Sequence, residues 1–220
     1  MSGSRSLGEQ RRERLRRARL YLVVEARAEA QLDAALRGGV DMVQLRDKDA
    51  DDEAILRAAA GFRRRCDEHG ALLWLNDRPD LALEVGADGV HVGQDDQPVA
   101  EVRAQVGPDL LIGLSTHSPA QLSAALDSEA DELSVGPVYE TPTKAGRRAA
   151  GLDYVRHASR ACGDRPWFAI GGIDRDTVHE VTAAGAKRIC VVRAIRDAPD
   201  PEAAAAELRQ ALEDDGVSAL

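Results

Sequence analysis

Eight short apolar runs recur along this 220-residue chain, and their alternation with helix-favouring segments restricts its fold more than any other feature. The runs lie at 20–24, 42–47, 71–75, 89–94, 110–114, 131–139, 167–170 and 189–195. Between them come Ala-rich 28–36 with its Gly38-Gly39 stop, the long polar-apolar stretch 51–68, and segments opened by Pro79 and Pro98. Ala-rich 201–213 closes the series. Strand-length apolar runs, each followed by a helix, predict parallel βα units. Periodicity alone also accommodates a doubly wound open sheet. Eight units in a chain of this length favour the closed alternative, an α/β fold consisting of a single (β/α)8 barrel over 20–215.

The remaining segment, 1–19, is rich in arginine, with Arg5, Arg11, Arg12, Arg14, Arg16, Arg17 and Arg19 broken by Glu9 and Glu13. Interspersed acids and a narrow stripe of Leu15, Ala18 and Leu20 predict an exposed helical extension without chemistry of its own. A net charge of −9 argues against nucleic acid as a partner. Cys66, Cys162 and Cys190 form no CxxC pair, so neither a zinc site nor a disulfide framework is indicated. No apolar run approaches the roughly 18 residues of a membrane span, and no signal-peptide core appears. The expected setting is reduced and cytoplasmic, with no membrane contact. The oligomeric state stays open, a homo-oligomer included.

Polar residues gather where the strands should end. In 42–48, Gln44, Arg46 and Lys48 recur at every second position, so an extended backbone points all three to one side. A parallel barrel strand is buried on both faces, and a cationic row there calls for an anion. A surface strand with one polar face is the plain alternative. Asn76-Asp77 follows the third run and Asp95-Asp96 the fourth. Neighbouring strands lie about 4.8 Å apart, so the two acidic ends could share one ion. Either pair alone reads as a helix cap. Beside the cations of the second run they predict magnesium with a phosphate or diphosphate, since that ion takes one or two carboxylates plus substrate oxygens.

Two further segments fit a phosphate. The loop 136–144 carries Thr141, Pro142, Thr143 and Lys144, two hydroxyl donors and a point charge. Gly171-Gly172 after the seventh run and Val192-Arg193 at the eighth stand where barrels commonly bind phosphate. Glycine lets backbone amides approach an anion, although a tight turn without ligand is equally compatible. His91 lies inside the fourth strand and reads as a satisfied interior histidine, while His117 at the rim is a weaker candidate for positioning substrate. His69, His157 and His179 read as solvated. GxSxG and GxGxxG are absent.

Taken together, VQLRDK (43–48), LND (75–77), GVHVGQDD (89–96), GLSTHS (113–118), GPVYETPTK (136–144), AIGGI (169–173) and VVRAI (191–195) resemble the thiamine phosphate synthase family. The resemblance covers the chain from the first strand to the last helix. It implies a transferase of thiamine biosynthesis that joins 4-amino-5-hydroxymethyl-2-methylpyrimidine diphosphate to a (carboxy)thiazole phosphate, giving thiamine phosphate and pyrophosphate. It also implies that Gln44, Leu45, Arg46, Asp47, Lys48 and Asn76 hold the pyrimidine diphosphate together with Ser115 and Lys144. Arg46, Lys48, Ser115 and Lys144 would stabilise the departing group, and Asp77 and Asp96 would bind one Mg2+. Thr141, Pro142, Thr143, Gly172, Val192 and Arg193 would hold the thiazole phosphate. One position departs from the pattern: Arg193 stands where a serine is expected, so its contact would run through the backbone or add charge. A thiazole tautomerase of the same fold and a non-catalytic phosphate-binding protein are the competing readings. Neither needs both a metal–diphosphate site and a second phosphate site.

Overall fold

The computed structural model describes residues 5–141 and 148–217, so Pro142, Thr143 and Lys144 lie outside the described residues. Eight parallel strands close into a barrel in chain order: β1 (Leu20–Val24), β2 (Met42–Leu45), β3 (Leu72–Asn76), β4 (Gly89–Val92), β5 (Leu111–Thr116), β6 (Glu132–Val135), β7 (Trp167–Ile170) and β8 (Ile189–Val191). β1 pairs with both β2 and β8, which completes the ring. The expected (β/α)8 architecture is met.

The helices are α1 (Leu7–Arg17), α2 (Glu29–Arg37), α3 (Asp52–His69), α4 (Pro79–Glu84), α5 (Val99–Val106), α6 (Pro119–Leu126), α7 (Gly151–Ala161), α8 (Val178–Ala183), α9 (Arg193–Arg196) and α10 (Pro201–Val217). Local chemistry explains their limits. Asp51 caps α3 by accepting from the Ala54 amide at 2.8 Å, and Gly70 ends it in the left-handed conformation. Pro79 and Pro119 open α4 and α6, where a missing amide hydrogen costs nothing. No helix among the described residues is long and apolar enough to cross a membrane.

Strand alternation divides the core in two. Outward residues such as Leu22, Val43, Leu73, Val90, Ile112 and Leu133 pack beneath the helices. Inward residues Tyr21, Met42, Leu72, Trp74, Leu111, Phe168 and Cys190 fill the barrel. Gly89 pairs with Trp74 across the sheet, and a side chain on Gly89 would stand 2.6 Å from the indole, so glycine makes room for the largest interior group. The upper interior is polar instead: Gln44, His91, Ser115, Glu132 and Ser134 are all buried there.

Several expectations change, the eighth strand among them, which stops at Val191 and is followed by helix α9. The N-terminal segment is not merely an exposed lead-in. A capping box of Ser6 and Glu9 starts α1, and the helix then closes the lower mouth of the barrel. Leu15 and Ala18 join the interior cluster, and Arg11 is buried against Asp88. The second strand also ends at Leu45 rather than 47. The Arg46 amide still donates to the Val24 carbonyl, but Asp47 then turns the chain by accepting from the amides of Ala26 and Asp49, both at 3.2 Å. Arg46 and Lys48 therefore stand on a loop above the strand.

Candidate active site

Two cavities open side by side at the C-terminal rim of the barrel, the end where this architecture presents its variable loops. The first, of about 490 Å³, collects Arg46, Asp47, Lys48, Asn76, Asp77 and Asp96 from the ends of β2, β3 and β4. The second, of about 370 Å³, lies over β6 to β8 and is lined by Thr141, Gly171, Gly172, Val192 and Arg193 among others. Ser115 and His117, from the end of β5, line both. Two pockets meeting at one strand end can hold two ligands in contact.

The first cavity combines cations with a pair of acids. Asp77 is the one non-glycine residue with positive φ, 58°, among the described residues. This turn carries its carboxylate back over the rim while its amide donates to the His91 carbonyl at 2.9 Å. Asn76 Nδ2 donates to Asp77 Oδ2 at 2.5 Å. Burial, then the charge of Asp96 and a hydrogen bond between the two carboxyls, raise the Asp77 pKa, against the opposing pull of Asn76 and Lys48. Asp96 Oδ2 accepts from the Gly93 amide at 2.7 Å, which holds it beside Asp77.

The pair passes a chemical test for magnesium. It offers hard oxygen donors, and its like charges are crowded together in a partly buried site that a dication would relieve. Among the described residues no group of three or more His, Cys, Asp and Glu could hold a metal. Two carboxylates, with substrate and water oxygens completing the shell, are the pattern magnesium accepts.

The second cavity has a glycine floor. Gly171 and Gly172 have φ of 107° and 68°, and a Cβ on Gly172 would stand 2.7 Å from Tyr139 Cβ. Glycine is thus required both by backbone conformation and by space. Arg193 is exposed and occupies the first position of α9, whose leading amides have no partner within the helix. The acids on this side are already engaged: Asp174 accepts from the Thr177 hydroxyl at 2.9 Å, and Asp197 from Arg196 at 2.6 Å.

The expected site residues divide into four groups. Arg46, Asp47, Lys48, Asn76, Asp77, Asp96 and Ser115 come together at the first cavity, and Thr141, Gly172, Val192 and Arg193 at the second. Gln44 and Leu45 do not line either one. Gln44 points into the barrel, where its amide donates to the buried Tyr21 hydroxyl, and Leu45 points outward into the layer beneath the helices. Asp47 lines the first cavity, but both of its carboxylate oxygens serve the turn that presents Arg46 and Lys48. Pro142, Thr143 and Lys144 fall outside the described residues.

Four residues went unread in the sequence. Glu25, at the end of β1, and Gln94 line the first cavity, and Gln94 donates to the Ser115 carbonyl at 2.7 Å. Glu132 and Ser134 occupy successive inward positions of β6, where two polar groups at a spacing of two were the available signal. His91 is the satisfied interior histidine expected, with Nδ1 3.1 Å from Glu132 Oε2 and Nε2 2.9 Å from Ser115 Oγ. The exposed positions of His69, His157 and His179 also agree.

The family model for thiamine monophosphate synthase matches residues 20–195. The chain is 54% identical over 201 residues to the thiamine-phosphate synthase of Acidothermus cellulolyticus, covering 89% of this chain and 95% of that protein. It is 54% identical over 213 residues to the thiamine-phosphate synthase of Thermobifida fusca, covering 94% and 97%. Among solved structures, thiamine phosphate pyrophosphorylase from Pyrococcus furiosus superposes with a TM-score of 0.84 at 32% identity, covering 93% of this chain and 98% of that one.

Proposed function

The chain belongs to the thiamine monophosphate synthase family and is a transferase of that kind, and from this premise we propose how its two cavities divide the reaction. The first takes the pyrimidine diphosphate. Arg46 and Lys48 face the diphosphate, with Ser115 beside it and Asn76 on the adjoining strand. Asp77 and Asp96 would hold one Mg2+, which when bound neutralises charge on the diphosphate oxygens. The second takes the thiazole phosphate, through the Gly172 turn, Thr141, and the backbone of Val192 and Arg193 at the start of α9. Roles for Pro142, Thr143 and Lys144 rest on resemblance to the family alone.

The observation that carries this reading is the junction of the cavities at Ser115 and His117. A transfer requires its two ligands to touch, and this junction lets a methylene carbon in one cavity meet a ring nitrogen in the other. The C–O bond to the diphosphate breaks and its electron pair leaves with pyrophosphate. The methylene carbon becomes electron-poor and is stabilised by the aminopyrimidine. The lone pair of the thiazole nitrogen then forms the C–N bond. Arg46 and Lys48 stabilise the charge that develops on the leaving group, and no protein nucleophile is needed. The three cysteines are all buried and none forms a disulfide with another, which supports a reducing, cytoplasmic setting.

The test mixes the purified protein with pyrimidine diphosphate, thiazole phosphate and magnesium, and follows thiamine phosphate as thiochrome after oxidation. Magnesium-dependent product that is lost in Arg46→Ala, with circular dichroism unchanged, is the expected result. Binding of both ligands without product would overturn the reading in favour of a tautomerase or sensor.

A further inference from the structure

Glu132 is fully buried in the polar upper interior of the barrel, yet nothing in the reaction as described uses it. Its Oε1 accepts from the Ser134 hydroxyl at 2.9 Å, and its Oε2 lies 3.1 Å from His91 Nδ1. The other ring nitrogen, Nε2, is 2.9 Å from Ser115 Oγ, and Ser115 lines both cavities. A continuous row therefore runs from Ser134 through Glu132 and His91 to the active site. The sheet is shaped around it. Gly113 lies between His91 and Glu132 in register, and a side chain there would collide with both polar groups.

Resting on the reading of Ser115 as a diphosphate contact, we propose that Glu132 is a positioning residue that acts through His91 to set the Ser115 hydroxyl as a hydrogen-bond donor into the active site. Among the described residues no lysine or arginine forms an ion pair with Glu132, and an uncompensated carboxylate in the barrel interior would be costly. The Glu132–His91 pair is neutral overall when one proton is shared across the Oε2···Nδ1 contact, whichever atom holds it. In both arrangements the remaining ring proton sits on Nε2 and donates to Ser115 Oγ. Ser115 then has its own O–H left to donate, and the partner suited to it is an oxygen of an anionic ligand. The opposite arrangement, an ionised Glu132 beside neutral His91, makes Nε2 the acceptor. It would turn Ser115 into an acceptor that repels the same anion.

The two arrangements separate when wild type is compared with Glu132→Gln. A glutamine can accept from Ser134 with its carbonyl and donate to His91 Nδ1 with its amide, which preserves Nε2–H and the orientation of Ser115. Long-range 1H–15N correlation on the ligand-free full chain, labelled at histidine and assigned with His91→Asn, should show a protonated Nε2 on His91 in wild type and in Glu132→Gln. An unprotonated Nε2 in wild type would overturn the inference and leave the synthase reading standing. Absence of thiamine phosphate from wild type would overturn the synthase reading alone.

Kinetics test whether the row acts through Ser115. Glu132→Gln should keep kcat within about threefold of wild type, while Glu132→Leu should lower it roughly tenfold or more. In a Ser115→Ala background the Glu132→Leu substitution should cost nothing further, because its effect has already been removed. Additive losses would mark Glu132 as structural only. Should Glu132→Leu fail to fold, a tenfold loss in Glu132→Gln is sufficient to reject the inference.

Discussion

Arg11 Nε and Asp88 Oδ1 stand 3.0 Å apart beneath the barrel, joining α1 to the start of β4 with both side chains nearly removed from water. Asp88 also accepts from Arg63 at 2.8 Å and from the Leu73 amide at 2.9 Å. One carboxylate thus accepts from two guanidinium groups and a backbone donor at the end of the barrel opposite the active site. Asp88→Ala leaves these donors buried without an acceptor and should cost about 3 to 5 kcal/mol in urea unfolding. At permissive temperature kcat/KM should stay within about twofold, since substitutions that touch neither substrate nor its positioning groups leave transition-state binding alone. A large kinetic loss without loss of stability would mean that the lower mouth communicates with the rim.

Asp96→Asn keeps the size of the side chain but removes one charge from the Asp77–Asp96 pair. The magnesium concentration needed for half-maximal activity should rise about tenfold or more. An unchanged magnesium titration would remove Asp96 from the metal site.

Gly172 lies at φ 68°, and a Cβ on it would stand only 2.7 Å from Tyr139 Cβ. Gly172→Ala must shift this turn, which adjoins only the second cavity. KM for the thiazole phosphate should rise roughly tenfold while KM for the pyrimidine diphosphate stays near wild type. Equal effects on both would show that the cavities do not divide the substrates as proposed.

Burial pushes the Cys66 thiol up to about 12 and the Cys162 thiol up to about 11. Their folded pKa values lie above those of the unfolded chain, so their contribution to stability is full below about pH 9 and is lost progressively as pH rises toward 11 to 12. The urea midpoint should therefore fall above pH 9, less steeply in Cys66→Ala. At pH 8 neither thiol should react with a disulfide reagent until denaturant is added. Rapid labelling of the native protein would show that these sites open locally.

Much of the architecture was legible in the chain because it follows from periodicity. Eight apolar runs separated by helix formers specify parallel βα units, and inward-outward alternation divides the core without further information. The rim residues were legible for the same reason, since a residue just past a strand must lie at the C-terminal mouth. Arg46, Asp77, Asp96 and Gly172 are all placed in this way. Periodicity could not tell where extension stops. Gln44, Arg46 and Lys48 share a spacing of two, but the turn made by Asp47 leaves Gln44 inside the barrel and lifts the other two above it.

Only the closed structure decided which distant residues meet. Glu132 and His91 are 41 positions apart, and their contact depends on β4, β5 and β6 lying side by side with a glycine between them. Arg11 reaches Asp88 across 77 positions because α1 folds under the barrel instead of leading away from it. Local propensity acts over a few bonds and sets the elements. Contacts between buried polar groups are enforced by the cost of leaving them unpaired, and that cost arises only once closure has removed the water.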